Sequence, residues 1–224
     1  MSLELNVLFE DDEHLVVLKP AGMATHGQGP ATLQKLLLRL GRESTSQHDM
    51  LQPVHRLDFG TRGPVMVAKT PSALKALQGN WPTATKIYHA WMSGALETAR
   101  GKARFALDGK PSSTAFVCLG HRSWGVHGSA SLVEWRLETG RTHQIRRHAA
   151  ALGHPVVGDL VYGPRPVYTG HGIHLTCTRL EWDHPVTGSR LHVEVEPAKK
   201  MRRVLPHSFH ALTPSPHLHF FEPR

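Results

Sequence analysis

The sequence predicts an α+β fold whose sheet is mixed and largely antiparallel, with flanking helices. Short apolar runs separated by Pro, Gly and charged turns are typical of strands, and only a few stretches show the leucine or alanine spacing of a helix. These strands and helices follow one another in an irregular order. A doubly wound parallel sheet, which requires a regular alternation of strand and helix, is therefore disfavoured.

The N-terminal quarter predicts a hairpin, a helix and a loop. Leu5–Lys19 contains two apolar strands around a Glu-Asp-Asp-Glu turn, and Pro and Gly follow directly. Over Thr32–Leu40, leucines recur at 33, 36, 37 and 40, which predicts a packing helix that is capped by Thr32 and ends at Gly41. The polar stretch 42–53 has no periodicity and is expected to be a loop.

The middle of the chain predicts a buried strand, a short helix and a strand with two distinct faces. The apolar run 65–68 is the buried strand, and Thr70-Pro71 opens a helix through Leu77, because Pro is favoured at the first helical position. Gly79 is expected just past its end. Lys86–Gly94 alternates two sets of side chains, which predicts a strand with two distinct faces.

The remaining elements are predicted with less periodicity. Strands are expected at Ser113–Leu119, Ala130–Leu137 and Leu191–Val195, with a helix over Thr142–Leu152. Residues 206–224 are rich in Pro and His, and we expect them to be a tail after one domain formed by residues 1–205.

Composition favours a protein of the cytoplasm that meets a polyanion. The formal net charge is +8, which favours partners that carry phosphate, although charge alone does not separate RNA from DNA or a membrane surface. No signal peptide or membrane anchor is expected, and Cys118 and Cys177 are expected to be reduced, buried thiols. The 18 histidines raise the possibility of a metal enzyme, but the spacing of a zinc site is missing, so no metal is expected.

The most informative stretch is His55-Arg56-Leu57-Asp58 followed by Gly60, Thr61 and Gly63. It sets a carboxylate beside a guanidinium in a turn flanked by glycine. A turn-capping aspartate is the simpler interpretation of such a residue in isolation.

Together with Lys86–Ala90 and Thr139–Arg146, this stretch resembles the RluA-type family of RNA pseudouridine synthases. The resemblance continues in chain order through further motifs, at Leu8–Asp12, Val17–Gly22, Leu152–Asp159 and Asp183–Gly188. It implies a mixed sheet with a central RNA-binding cleft and isomerisation of uridine to its C-glycoside without a cofactor. We expect no separate N-terminal RNA-binding domain.

The resemblance also implies catalytic roles. Asp58 matches the family's catalytic carboxylate, and Arg146 matches the arginine that keeps it ionised inside a pocket. Tyr88 matches a tyrosine that stacks on uracil and takes part in proton transfer. The simpler alternatives are a solvated helix arginine for Arg146, with Arg147 as a competing neighbour, and an ordinary sheet aromatic for Tyr88.

Further residues are candidates for contact with RNA. In relatives the arginine at Arg56 helps to hold the displaced base, since a flipped uridine loses its stacking. Structural roles are as plausible for three others, His55, Gln144 and Ile145. Helix cations expected to meet phosphates are Arg141, Arg147 and, when protonated, His148.

One segment departs from the family pattern. Relatives commonly continue the catalytic turn with Arg-Asp-Thr-Ser-Gly, whereas this chain has Phe59-Gly60-Thr61-Arg62-Gly63. Phe59 offers a stacking face and Arg62 a displaced cation. The departure leaves the RNA target, rRNA or tRNA, open. It also motivates an alternative, a catalytically silent RNA-binding or RNA-folding protein. A monomer without membrane or nucleotide partners is expected.

Overall fold

The structure, a computed structural model, describes residues 5–29, 31–43, 50–124, 128–163 and 172–202. Within these ranges the chain forms two antiparallel sheets. The four-stranded sheet has the order β1-β2-β4-β3, with β1 Val7–Glu10, β2 His14–Lys19, β3 Gln52–Pro53 and β4 Gly63–Ala68. The six-stranded sheet has the order β10-β9-β5-β8-β7-β6, with β5 Thr85–Ser93, β6 Arg100–Arg104, β7 Ser113–Ser123, β8 Ser129–Leu137, β9 Leu175–Asp183 and β10 Arg190–Glu194.

Helices flank these sheets in the described ranges, at α1 Leu33–Glu43, α2 Pro71–Gly79, α3 Gln144–Ala151 and α4 Lys199–Arg202, with a 3₁₀ turn at Trp81–Thr83. The α+β class, the antiparallel pairing and the entry hairpin are thus confirmed. The side chains predicted to cap two helices do so: Thr32 accepts from the Lys35 amide at 3.2 Å and Thr70 from the Ala73 amide at 3.1 Å.

Several predicted boundaries were wrong. Helix α1 continues through Gly41, and α2 includes Gly79 as its last residue, with Asn80 as the C-cap. A glycine ends a helix only where the backbone turns left-handed there, and neither glycine has a positive φ. Helix α3 begins at Gln144, two residues later than predicted, since His143 has a left-handed φ of 53°. The predicted loop 42–53 begins inside α1 and contains β3.

Besides β3, two further strands were missed, β6 and β9. The β6 sequence Arg-Gly-Lys-Ala-Arg has too little apolar character to indicate a strand, and pairing with β7 supplies its order. The first half of β9 is buried on both faces, and its residues are Leu, Thr, Cys and Thr. It therefore lacks the alternation of apolar and polar residues that indicates a strand.

The two sheets join where β4 meets β9. The Cys177 amide donates to the Arg62 carbonyl at 2.9 Å, and a Cβ added at Gly63 would lie 2.5 Å from Cys177 Cβ and 2.7 Å from its carbonyl oxygen. Only glycine allows this approach. Because Gly63 is five residues after Asp58, the junction holds the turn that carries Asp58 against the six-stranded sheet.

A hydrogen-bonded cluster joins the N-terminal hairpin to the turn after β9. Trp182 donates to His14 Nε2 at 2.9 Å, and the backbone amides of 186 and 187 donate to His184 Nδ1. These donors leave the protons on His14 Nδ1 and His184 Nε2, which face Asp11 at 3.2 and 3.0 Å. The possible metal-ligand atoms of Asp11, His14 and His184 lie within 4.8 Å of one another. However, the two imidazole nitrogens that face Asp11 carry protons, so they are not free to bind a metal ion. The cluster is best explained as a structural contact that stabilises the packing of the hairpin against this turn.

Both cysteines are free thiols, as predicted; Cys177 is buried, but Cys118 is only half-buried, so the prediction of burial was wrong for Cys118. None of the helices in the described ranges has the length and apolar character needed to cross a membrane. The predicted tail at 206–224 lies outside the described residues.

Candidate active site

A cleft of about 550 Å³ lies between the two sheets. Its walls are the segments 54–58 and 137–146, and its other lining residues are Thr61, Trp81, Pro82, Lys86, Tyr88 and Leu175. All three predicted catalytic residues, Asp58, Tyr88 and Arg146, line it. The loop before β4, strand β5 and helix α3 therefore bring together residues that lie far apart in the sequence.

The turn that carries Asp58 is fixed by backbone bonds and one buried cation. The Thr61 amide donates to the Asp58 carbonyl at 3.0 Å, and the Gly22 amide donates to the Phe59 carbonyl at 2.8 Å. Lys19 Nζ, which is fully buried, donates to the Met23 carbonyl at 2.7 Å and to the Phe59 carbonyl at 3.5 Å. Burial lowers the pKa of Lys19 to about 8, against the opposing charge of Asp58. The cation thus links the loop after β2 to the turn that carries Asp58.

Arg146 is held by two carboxylates of unequal importance. Its Nη1 lies 3.8 Å from Asp58 Oδ2, whereas its Nε and Nη2 donate to Asp159 at 2.6 and 2.8 Å. The Asp159 side chain is fully buried and also accepts from the amides of Val161 and Tyr162 at 2.9 and 3.1 Å. Burial lowers the pKa of Arg146. Its bonds to Asp159 and the charge of Asp58 raise the pKa by more than burial lowers it, so the net shift is upward. Arg146 is a permanent cation pinned by Asp159 and presented to Asp58.

The two adjacent arginines of α3 point in different directions. Arg147 forms a bidentate pair with Asp108 at 2.8 and 3.1 Å at the surface and does not line the cleft. Successive residues of an α-helix are rotated by about 100°. Arg147 is therefore not a competitor of Arg146 for Asp58, and the interpretation of Arg146 as a solvated arginine was wrong.

Tyr88 lies in the wall of the cleft on β5, directly opposite Cys177 of β9. Burial, with the neighbouring Cys177 and the charge of Asp58, raises the pKa of Tyr88 well above 10. The phenol therefore remains protonated at neutral pH and acts as a hydrogen-bond donor. Buried Ile145 and Leu175 supply apolar surface beside it.

His55 and Gln144 line the cleft, but their polar atoms are engaged by the protein. His55 Nε2 accepts from the Met66 amide at 3.1 Å, and its ring stacks on Trp81 with centroids 4.0 Å apart. Burial lowers the pKa of His55 to about 3, so the imidazole is neutral. Gln144 accepts from Thr139 Oγ1 at 2.7 Å and donates to Thr114 Oγ1 at 2.8 Å. These contacts indicate bracing of the cleft walls.

The other predicted RNA contacts are divided between the cleft and the surface. Arg56 and Arg141 are exposed residues of the cleft wall. Phe59 is 65% exposed beside Asp58 but does not line the cleft. Arg62 donates to the Glu196 carbonyl at 2.7 Å, also outside the lining. His148 is fully buried and bonded to Ser112 at 2.8 Å, so its expected phosphate contact was wrong.

Comparison with known proteins identifies the family of the chain. The sequence model of the RNA pseudouridylate synthase family matches residues 13–151. The chain belongs to this family. An RNA pseudouridine synthase of Mycobacterium tuberculosis is 36% identical over 214 residues, covering 84% of this chain and 68% of the relative. Ribosomal large subunit pseudouridine synthase C of Escherichia coli is 31% identical over 225 residues, covering 89% and 68%. The RluA-type resemblance is thereby confirmed.

Solved structures agree with the pseudouridylate synthase assignment. Human RNA Pseudouridylate Synthase Domain Containing 1 superposes with a TM-score of 0.72 at 28% identity, covering 86% of this chain and 83% of the human one. Human RNA Pseudouridylate Synthase Domain Containing 4 shares the fold, with the same TM-score, 21% identity and coverage of 89% and 91%.

Sequence reasoning missed two charged residues of this pseudouridylate synthase site, Lys19 and Asp159. Both lie in motifs that carry the family resemblance, which was the available signal. Each stands in an apolar or glycine-containing context where a charge is costly unless paired, and that context indicated burial. Their partners, the Phe59 carbonyl and Arg146, could be identified only from the fold.

Proposed function

We propose that this protein isomerises uridine within RNA to pseudouridine, with Asp58 as the catalytic carboxylate. The observation that carries the proposal is the placement of Asp58 in the cleft, 3.8 Å from a guanidinium that buried Asp159 holds in place. In the reaction the bond from N1 of uracil to C1′ of ribose breaks, the uracil turns, and C5 bonds to C1′. The C5 proton moves to N1, so no group is gained or lost.

The neighbouring side chains fit the steps of this rearrangement. Arg146 places a fixed positive charge beside the Asp58 carboxylate, which is able to add to sugar or base or to assist departure of uracil. The protonated phenol of Tyr88 is able to donate a hydrogen bond to the base, and its ring, with Ile145 and Leu175, offers an apolar wall for stacking. A detached uracil can turn in such a site without diffusing away.

We propose a structured rRNA or tRNA as the substrate, bound by a monomer in the cytoplasm. Exposed Arg56 and Arg141 stand at the cleft wall, where they are able to contact phosphates on either side of a flipped nucleotide. The name of the Escherichia coli relative refers to the large ribosomal subunit, which makes rRNA the first fraction to test. Phe59 and Arg62 replace groups that commonly flank the carboxylate in relatives. We therefore propose that the RNA target of this protein differs from the targets of those relatives.

The test is Asp58→Asn, with Asp12→Asn as a control for loss of one exposed carboxylate outside the cleft. Purified proteins are incubated with rRNA and tRNA fractions, and pseudouridine is measured by nucleoside mass spectrometry. Wild type and Asp12→Asn are expected to form pseudouridine, whereas Asp58→Asn binds RNA equally well and forms none. Product from Asp58→Asn would contradict the assignment of the carboxylate.

The same experiment separates the alternative of a silent RNA-binding protein, which the altered segment 59–62 motivates. That alternative expects wild type and Asp58→Asn to bind RNA alike, with neither forming product in any fraction.

A further inference from the structure

The outermost strand of the six-stranded sheet, β6, carries its cations on one face. Arg100, Lys102 and Arg104 alternate with Gly101 and Ala103. Ala103 is buried, and a Cβ at Gly101 would lie 2.7 Å from the Phe116 ring, so these two residues face the core. The three cations therefore project from the outer face of the sheet, where alternate residues are spaced by about 7 Å.

A fourth cation extends this row across the sheet. Lys102 is paired with Ala115 of β7, and Ala115 is paired with Arg136 of β8. Arg136 is exposed and lies on the same outer face. We name the four residues Arg100, Lys102, Arg104 and Arg136 the β6 track.

The β6 track is continuous with the rim of the active-site cleft. Arg104 is paired with Ser113, whose amide donates to Thr139 Oγ1 at 3.0 Å and whose hydroxyl donates to Glu138 at 2.7 Å. Glu138 and Thr139 both line the cleft, and Lys102 Nζ reaches Glu138 at 2.6 Å. A strand leaving the cleft over Glu138 would meet Arg104 first and Arg100 last.

Two carboxylates near the β6 track, Glu138 and Glu134, are already engaged by the protein. Glu138 is bonded by Lys102 and Ser113, and Glu134, in the row of Arg100, contacts His89 at 3.5 Å. Because Lys102 is paired with Glu138, the three arginines are the members of the β6 track that we expect to meet phosphate. A guanidinium binds phosphate through paired donors, and such contacts read no base sequence.

We propose that the β6 track binds the sugar-phosphate backbone of the RNA segment that flanks the uridine in the cleft. This inference rests on the proposed function and extends it to the path of the substrate. Charged side chains on an edge strand also discourage pairing between sheet edges, but that role predicts no effect on RNA affinity. The two roles therefore separate experimentally.

The test is the double variant Arg100→Glu/Arg104→Glu. Its control, Arg39→Glu/Lys75→Glu, makes the same change in net charge at exposed positions on α1 and α2. Binding of fluorescein-labelled oligouridine is measured over a range of salt concentrations, and steady-state kinetics use the RNA fraction in which wild type forms pseudouridine. The track variant is expected to bind oligouridine at least about 10-fold more weakly, and two lost phosphate contacts lower the slope of log K against log salt by about 1.4. Its KM rises while kcat is unchanged, and the control stays near wild type.

Equal losses in the track variant and the control would reduce the effect to net charge and overturn the proposal. Unchanged affinity in the track variant would overturn it as well, and self-association of that variant with unchanged affinity would assign the cations to edge protection. If wild type binds oligouridine but forms no pseudouridine in any fraction, the proposed function fails, while the affinity comparison still decides the β6 track.

Discussion

Asp159→Asn tests whether the buried carboxylate behind Arg146 organises the active site. The substitution preserves shape and one acceptor oxygen for the amides of Val161 and Tyr162, but it removes the charge that faces the guanidinium at 2.6 and 2.8 Å. The Arg146 side chain is only 11% exposed, so its charge is left in a poorly hydrated place with Asp58 at 3.8 Å as its nearest anion. We expect Arg146 to turn toward Asp58 or toward solvent.

The expected magnitude is large in both stability and rate. Removing one partner of a buried ion pair costs about 3 to 5 kcal/mol. Because Asn retains the backbone hydrogen bonds, we expect about 3 kcal/mol, and a decrease in Tm of about 6 to 12 °C for a chain of this size. A shift of the guanidinium by about 1 Å is expected to lower kcat by about 100-fold.

The matched control is Asp108→Asn. Its partner, Arg147, follows Arg146 directly on α3. Arg147 and Asp108 form a bidentate pair of similar geometry, but Asp108 is 70% exposed. Asn also tolerates the left-handed φ of 53° at this position. We expect no measurable change in Tm or kcat, because water replaces the lost charge.

The pH dependence of the difference gives a second readout. Burial by itself raises the pKa of Asp159, but its bonds from Arg146, Tyr162 and Val161 outweigh that effect and hold the pKa below 3.8. The stability that ionised Asp159 contributes is therefore present above the unfolded-state pKa, about 3.9, and is lost as the pH falls through the lower folded-state value. The stability gap between wild type and Asp159→Asn should narrow in acid below about pH 4.

The assay measures Tm and kcat of both variants and follows the stability of wild type and Asp159→Asn over a pH series by calorimetry. If Asp159→Asn lowers Tm and kcat as little as Asp108→Asn does, the argument that burial makes the Asp159 charge important is refuted.

Three other changes test the remaining parts of the site. Tyr88→Phe keeps the ring but removes the phenol, and we expect kcat to fall by about 100-fold with little change in KM; an unchanged kcat in single-turnover assays would limit Tyr88 to stacking. For Lys19, whose pKa burial lowers to about 8, we expect wild-type kcat to decline above about pH 8 as the charge near Asp58 is lost, and Lys19→Met to be slower and to lack that decline. Gly63→Ala places its Cβ 2.5 Å from Cys177 Cβ and is expected to lower the free energy of unfolding by about 3 kcal/mol, whereas Gly79→Ala, with nothing within 4 Å, should be tolerated in urea titrations.

Local patterns predicted much of the fold because their physical causes are local. Alternation over β5 and the apolar run of β4 state which faces are buried, and the threonine caps of α1 and α2 act on amides three residues away. The same local patterns failed for β6, because an edge strand with one solvated face needs no apolar residues on that face, and its order comes from pairing with β7.

The sequence by itself determined the family and singled out Asp58 as the candidate carboxylate, since Asp58 stands in a motif that contains its own turn residues. The family resemblance favoured Arg146, but it left Arg147 as a competing neighbour, because two adjacent arginines look alike in a sequence until the rotation of a helix directs one inward and the other to solvent. Only the tertiary structure decided that Asp159 holds Arg146 and that Lys19 holds the Asp58 turn. Pairing of buried charges depends on distances of a few ångströms between segments that the chain itself leaves far apart, and folding alone sets those distances.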